Sequence, residues 1–155
     1  MSSSDVMLSQ GNGTFEWTEQ HRINLNAKQK FVEALFANDW DEMAKWVTDD
    51  VELREPESLP FGGIYVGLDG FKECWDKIPQ VSHKTTSIET LHSYMTAHPD
   101  HLWVELDCKM IRNDNGENMD QIVMEKFEFR DGRISAIILH WYNIPKDLKA
   151  APPRS

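Results

Sequence analysis

The sequence predicts a single α+β domain with three helices in its first half and a long antiparallel sheet in its second. Three observations carry this. The chain has 155 residues, the size of one domain around one core. Its first half places apolar residues at helical spacing, as in Trp40, Met43, Ala44 and Val47. Its second half alternates, with Leu102, Val104, Leu106, Cys108 and Met110 set against Trp103, Glu105, Asp107 and Lys109. Helices followed by a run of strands give an α+β order, in which the helices cover one face of the sheet.

Along the chain, residues 1–13 are polar and Gly/Ser-rich and read as a flexible arm, leaving 14–145 as the domain and 146–155 as a tail. Residues 14–22 read as an extra turn or the start of a helix. Over 24–38, Leu25, Phe31, Val32, Leu35 and Phe36 repeat at helical spacing. Asp39, with Glu42 three residues on, caps a second short helix. Residues 51–55 alternate and stop at Pro56, which holds Glu55 extended. After a Pro/Gly-rich loop over 57–67, Asp69 caps a third helix carrying Phe71, Cys74, Trp75 and Ile78, which Pro79 ends. Strands follow over 84–96, 102–112, 119–130 and 134–143, with Asn115-Gly116 and Asp131-Gly132 as hairpin turns.

Composition excludes several classes. Hydrophobic residues make up 40% and charged residues 27%, the balance of a packed globule. No apolar run approaches the ~20 residues that span a bilayer, and the first ten residues lack the basic and apolar regions of a signal peptide. The expected location is therefore the cytoplasm, with no membrane partner. A formal net charge of −10, without a basic stripe, excludes nucleic acid as a partner. Cys74 and Cys108 form no CxxC pair and read as small buried apolar residues of a reducing compartment. His83, His92, His98 and His101 form no HxH or HExxH pattern, and His98-Pro99-Asp100-His101 reads as a turn, so no metal site is expected. No GxSxG, P-loop or GxGxxG is present, and no cofactor is expected.

Residues 31–35, Asn38-Asp39-Trp40 and 47–56, which ends Leu53-Arg54-Glu55-Pro56, resemble the opening of ketosteroid isomerase and SnoaL-like proteins. Residues 61–67 and Gly70-Phe71 are similar to the loop and helix start of that superfamily, and with the late strands the resemblance covers roughly 24–144. It implies an NTF2-like cone, three helices packed on a curved sheet around a pocket. It places Glu55 at the carboxylate base, Glu125 near the protonated acid that donates to the developing oxyanion, and Phe31 where the isomerase has its oxyanion-hole tyrosine. The tuned carboxyl pair of ketosteroid isomerase is a described case of such chemistry. Residues 98–105 and 129–134 are also similar to segments of phenazine-biosynthesis A/B proteins.

The residues themselves support a pocket. Glu55 shares a strand face with Val51 and Leu53, and Glu125 with Val123, Phe127 and Phe129. A carboxyl group among such neighbours has a raised pKa suited to acid or base work; the plainer alternatives are a rim glutamate and a buried one satisfied by His92 or Tyr94. His92, on the face of Ile88 and Thr90, is a candidate proton shuttle. Phe31, Leu35, Tyr65, Trp75, Leu106, Phe127, Leu139 and Trp141 are the candidate substrate-contacting residues, while Trp40 and Trp46 read as core and His140 as outer face. The expected function is a cofactor-independent isomerase or cyclase acting on a hydrophobic, carbonyl-containing small molecule, of the kind found in secondary metabolism. The alternatives are a non-catalytic binding module, or a dehydratase or epoxide hydrolase on the same fold. The outer sheet face, with Trp103, Glu105, Asp107, Ile138, His140 and Tyr142, predicts a homodimer.

Overall fold

The computed structural model describes residues 6–8 and 16–153. Helix α1 (Glu19–Phe36) opens on a capping box, in which the Thr18 hydroxyl accepts from the His21 backbone N–H and His21 Nδ1 accepts from the Thr18 N–H. Its buried face runs His21, Asn24, Ala27, Lys28, Phe31 and Ala34, so the inward stripe begins with polar residues and ends with apolar ones. A short helix α2 (Trp40–Ala44) follows, capped by Asp39 as expected.

Among the described residues, seven strands form one sheet. They are β1 (Val6–Leu8), β2 (Val47–Glu55), β3 (Gly63–Val66), β4 (His83–Met95), β5 (His101–Arg112), β6 (Gln121–Arg130) and β7 (Arg133–Trp141), in the spatial order β1-β4-β5-β6-β7-β2-β3. Pairing is antiparallel except that β2 runs parallel to β7 and β1 parallel to β4. The expected meander is β4 to β7. Register shifts place extra residues, β-bulges, in β2, β4 and β7, which bend and twist a strand locally, and the sheet curves around α1 and α3 (Gly67–Val81). The buried core between them includes Phe31, Met43, Phe61, Met95, Leu102, Phe127, Ile134 and Ile137.

Several boundaries differ from expectation for identifiable reasons. Asp131 and Gly132 both have positive φ, 53° and 75°, and join β6 to β7 as the predicted two-residue turn. Asn115-Gly116 instead sits in a wider connection between Arg112 and Gln121. Part of the expected loop over 57–67 pairs with β2 as strand β3. Pro79 does not end α3. So close to the C-terminus it forfeits only one intrahelical hydrogen bond, and the last carbonyls are satisfied from outside. Asn113 donates to the Pro79 carbonyl at 3.0 Å, and the Ala151 N–H to the Val81 carbonyl at 2.7 Å. The C-terminal segment is thus docked, with Leu148 in the core and Asp147 paired to Arg112. In the expected N-terminal arm, residues 6–8 pair with Ser93–Met95; its other residues lie outside the described ones.

Candidate active site

Three adjacent strands bring the two glutamates to one level. Leu53 pairs with Ile137 and Arg54 with Ile138, so one residue further Glu55 comes level with Leu139. Leu139 pairs with Glu125, and Glu125 with Val104. On a concave sheet, side chains two strands apart converge, and Glu55 and Glu125 line the same cavity.

This cavity, of about 210 Å³, lies between α1, α3 and the sheet. Of the candidate contact residues, Phe31, Leu35, Trp75, Leu106, Leu139 and Trp141 line it. The exposed apolar side chains of Phe36, Trp75 and Ile88 stand at its mouth. Lys28 lies eight residues before Phe36 on α1, ~12 Å deeper along the helix axis. Its side chain is only 6% exposed and also fronts the cavity.

Both carboxyl groups are perturbed in one direction. Burial first, and then the charge of Glu125, push Glu55 up to about 8 against an opposing hydrogen bond from the Trp141 side chain. Glu55 Oε2 is buried and has no hydrogen-bond partner. Burial likewise pushes Glu125 up to about 7, but here the nearby Lys28 charge opposes it. Lys28 itself is lowered by burial, against the pull of Glu125. The two glutamates retain some accessible surface because they front the cavity; the protein around them still replaces most of the water a carboxylate needs. Cys74 and Cys108 also line the cavity, with thiols pushed up to about 12 by burial and the neighbouring carboxyls. They stay protonated at neutral pH and serve as apolar wall.

Three candidates are not in the cavity wall. The bulge in β4 pairs Thr90 with Leu106 but His92 with Glu105. The extra residue reverses the parity, turning His92 out of the cavity to an exposed position, 6.0 Å from the Tyr94 ring. The alternative that His92 or Tyr94 satisfies Glu125 fails for the same reason. Tyr65 is buried behind the cavity, its hydroxyl donating to the Phe61 carbonyl at 2.7 Å. Phe127 is fully buried beside Phe129 and lies in the core below the cavity. His140 packs on Trp103 at the outer face, 5.6 Å between rings.

Two basic residues of the cavity escaped the sequence reading. Lys28 lies one turn before Phe31, on the inward stripe, but a lysine reads as solvent-facing because its stem can cover apolar surface with the charge in water. His83 opens β4, and its ring lies 5.7 Å from both Phe61 and Trp141, with Nδ1 hydrogen-bonded to Ser82 Oγ at 2.9 Å. Burial lowers it to about 4, so it is neutral at physiological pH.

Comparison with known proteins agrees with this architecture. A family model described as a SnoaL-like domain matches residues 29–137. The chain belongs to the SnoaL-like family, and its fold is NTF2-like. A search of curated proteins gives no match. Among solved structures, the chain is similar to a candidate polyketide cyclase from Xanthomonas campestris, with 17% identity over 81% of this chain and 93% of that one and a TM-score of 0.59. It is similar to a candidate isomerase from Bacillus subtilis, with 18% identity, coverage of 80% and 89%, and a TM-score of 0.59. It is also similar to a Mycobacterium tuberculosis protein solved with estradiol-17beta-hemisuccinate, with 16% identity, coverage of 77% and 93%, and a TM-score of 0.58. No helix among the described residues is long and apolar enough to cross a membrane.

Proposed function

We propose that the chain is a proton-transferring isomerase or cyclase acting on a hydrophobic small molecule that carries a carbonyl group. The observation that carries this reading is a pair of carboxyl groups facing a mostly apolar cavity, one of them, Glu55, with a buried oxygen that has no hydrogen-bond partner. Carboxyls whose pKa lies near neutrality are suited to taking and returning protons at physiological pH. The candidate cyclase and isomerase among similar structures, and the steroid ester bound by one of them, support a small-molecule site of this kind.

The electrostatics favour an exchange of the roles that the resemblance assigns. Glu125 feels the positive charge of Lys28 across the cavity and gives up its proton first, whereas Glu55 has no such cation and is held protonated by the charge on Glu125. Glu125 therefore acts as the base, taking a proton from the carbon next to the substrate carbonyl and returning it to another carbon. Glu55, kept in place by Trp141, donates a hydrogen bond to the substrate oxygen. The homodimer expected from the outer sheet face belongs to this proposal; light scattering would contradict it with a single-chain mass.

The test is hydrogen–deuterium exchange at the α-carbons of 2-tetralone in D2O, followed by NMR. The protein should accelerate it, and Glu125→Gln should remove at least roughly 100-fold of the acceleration, the scale of one general base. Unchanged acceleration in both Glu125→Gln and Glu55→Gln would refute the mechanism. Binding of 2-tetralone without exchange would favour the binding module.

A further inference from the structure

Lys28 is more than nine-tenths buried as a residue, its ammonium keeps some surface open to the cavity, and among the described residues it has no hydrogen-bond acceptor and no close ion pair. Its surroundings are the Phe127 ring, 5.9 Å away, and the more distant charge of Glu125. A buried ammonium without an acceptor is costly to a fold. Its side chain fronts the cavity at the end away from the mouth, where an incoming molecule could supply the acceptor.

The helix face sharpens this. The residue one turn later is Phe31, whose ring offers no hydroxyl at the position where the resemblance implies an oxyanion donor. Lys28 stands on the same inward stripe of α1 and presents donors with a full positive charge instead.

We propose that the Lys28 ammonium stabilises the oxyanion formed on the substrate, so that the cavity takes molecules with an enolisable carbonyl, or an acidic enol or phenol, at the end that enters first. This rests on the proton-transfer reading above and adds a cation to the Glu55 donor that reading places on the same oxygen. In the step, the substrate C–H bond breaks and its proton passes to the Glu125 carboxylate. The electron pair forms the carbon–carbon double bond of the enolate, leaving negative charge on oxygen. Charge thus moves from Glu125 to the substrate oxygen while Lys28 stays cationic and offsets it in both states. Such preorganised charge needs no reorganisation during the reaction.

The test uses 2-naphthol, a planar enolate mimic, beside 2-methoxynaphthalene, which has no proton to lose. At pH 7.5 the wild-type protein should bind naphthol as naphtholate, seen by its red-shifted absorbance, and prefer it over the methoxy compound roughly 10- to 100-fold, the scale of a charge-assisted hydrogen bond. Lys28→Met should bind the methoxy compound as before and lose both the preference and the red shift. Naphthol bound in its neutral form by the wild type, or a preference that survives Lys28→Met, would overturn the assignment; the wild-type spectrum decides even if the variant folds poorly. Tight binding of 2-naphthoate with naphthol left neutral would also overturn it, making Lys28 an anchor for a standing carboxylate. If none of these compounds binds, the cavity is not the site and the function proposed above falls as well. If all bind without regard to charge, only the role of Lys28 falls.

Discussion

The two halves of the inward face of α1 treat buried polar groups in opposite ways. In the first half, His21 and Asn24 are fully buried and bonded to fixed partners on the β4–β5 connection. His21 Nε2 lies 3.0 Å from the Thr96 carbonyl, and Asn24 donates to the Pro99 carbonyl at 2.7 Å and to Asp100 at 3.1 Å. In the second half, Lys28 has no acceptor, and Glu55 in the same cavity keeps an orphaned oxygen. Satisfied buried polar groups hold a structure together. Unsatisfied ones beside a cavity cost stability and are kept where a ligand can complete them. The contrast separates a structural polar cluster from a functional one within three turns of a single helix.

Substitutions in the two clusters should therefore have opposite effects on stability. Asn24→Ala removes three hydrogen bonds, one accepted from Gln20, leaves the Pro99 carbonyl and Asp100 without this donor, and should destabilise the protein by about 2 kcal/mol in denaturant unfolding while leaving ligand binding intact. Lys28→Met removes a buried charge without a bonded partner and should leave the unfolding midpoint unchanged or higher. A midpoint lowered as much as in Asn24→Ala would place Lys28 in the structural cluster.

Dependence on pH sharpens the comparison. Folding raises Glu55 from 4.5 to about 8 and Glu125 from 4.5 to about 7. A carboxyl raised by folding holds its proton more tightly in the native state, so its contribution is complete below 4.5 and lost as pH climbs through the native value. Thermal unfolding midpoints should fall from about pH 5 to pH 8, and Glu55→Gln should flatten that slope. A slope unchanged by the substitution would show that Glu55 does not set it. The smaller effect lies on the acid side. His83 is lowered from 6.5 to about 4, so its neutral form favours the fold above 6.5, and that contribution is lost as pH falls toward 4. A His83→Phe variant should lose less stability than wild type between those two values.

Much of this was legible in the sequence, for physical reasons. Alternation along β5, β6 and β7 indicates which residues face inward, and Leu106, Glu125 and Leu139 line the cavity as that alternation implies. Proline after Glu55 marks the strand end that brings that carboxyl to the cavity. What escaped depends on single insertions and on long side chains. The bulge between Thr90 and His92 reverses the parity of everything after it, and no residue type there announces it. Pro79 reads as a stop but is tolerated because Asn113 and Ala151, distant in sequence, satisfy the carbonyls around it. Lys28 is the costliest omission. Its charge points to solvent by every local rule, and only the cavity shows that its side chain is turned inward.

Carboxyl-labelled NMR titration of Glu55 and Glu125 in the free protein bears most directly on the claim that a desolvated carboxyl pair defines the site. The account predicts midpoints near 7 to 8 for the pair, with Glu125 ionising first and moving upward in Lys28→Met. Two independent midpoints close to the reference value of about 4.3 would mean solvated carboxylates and would contradict it.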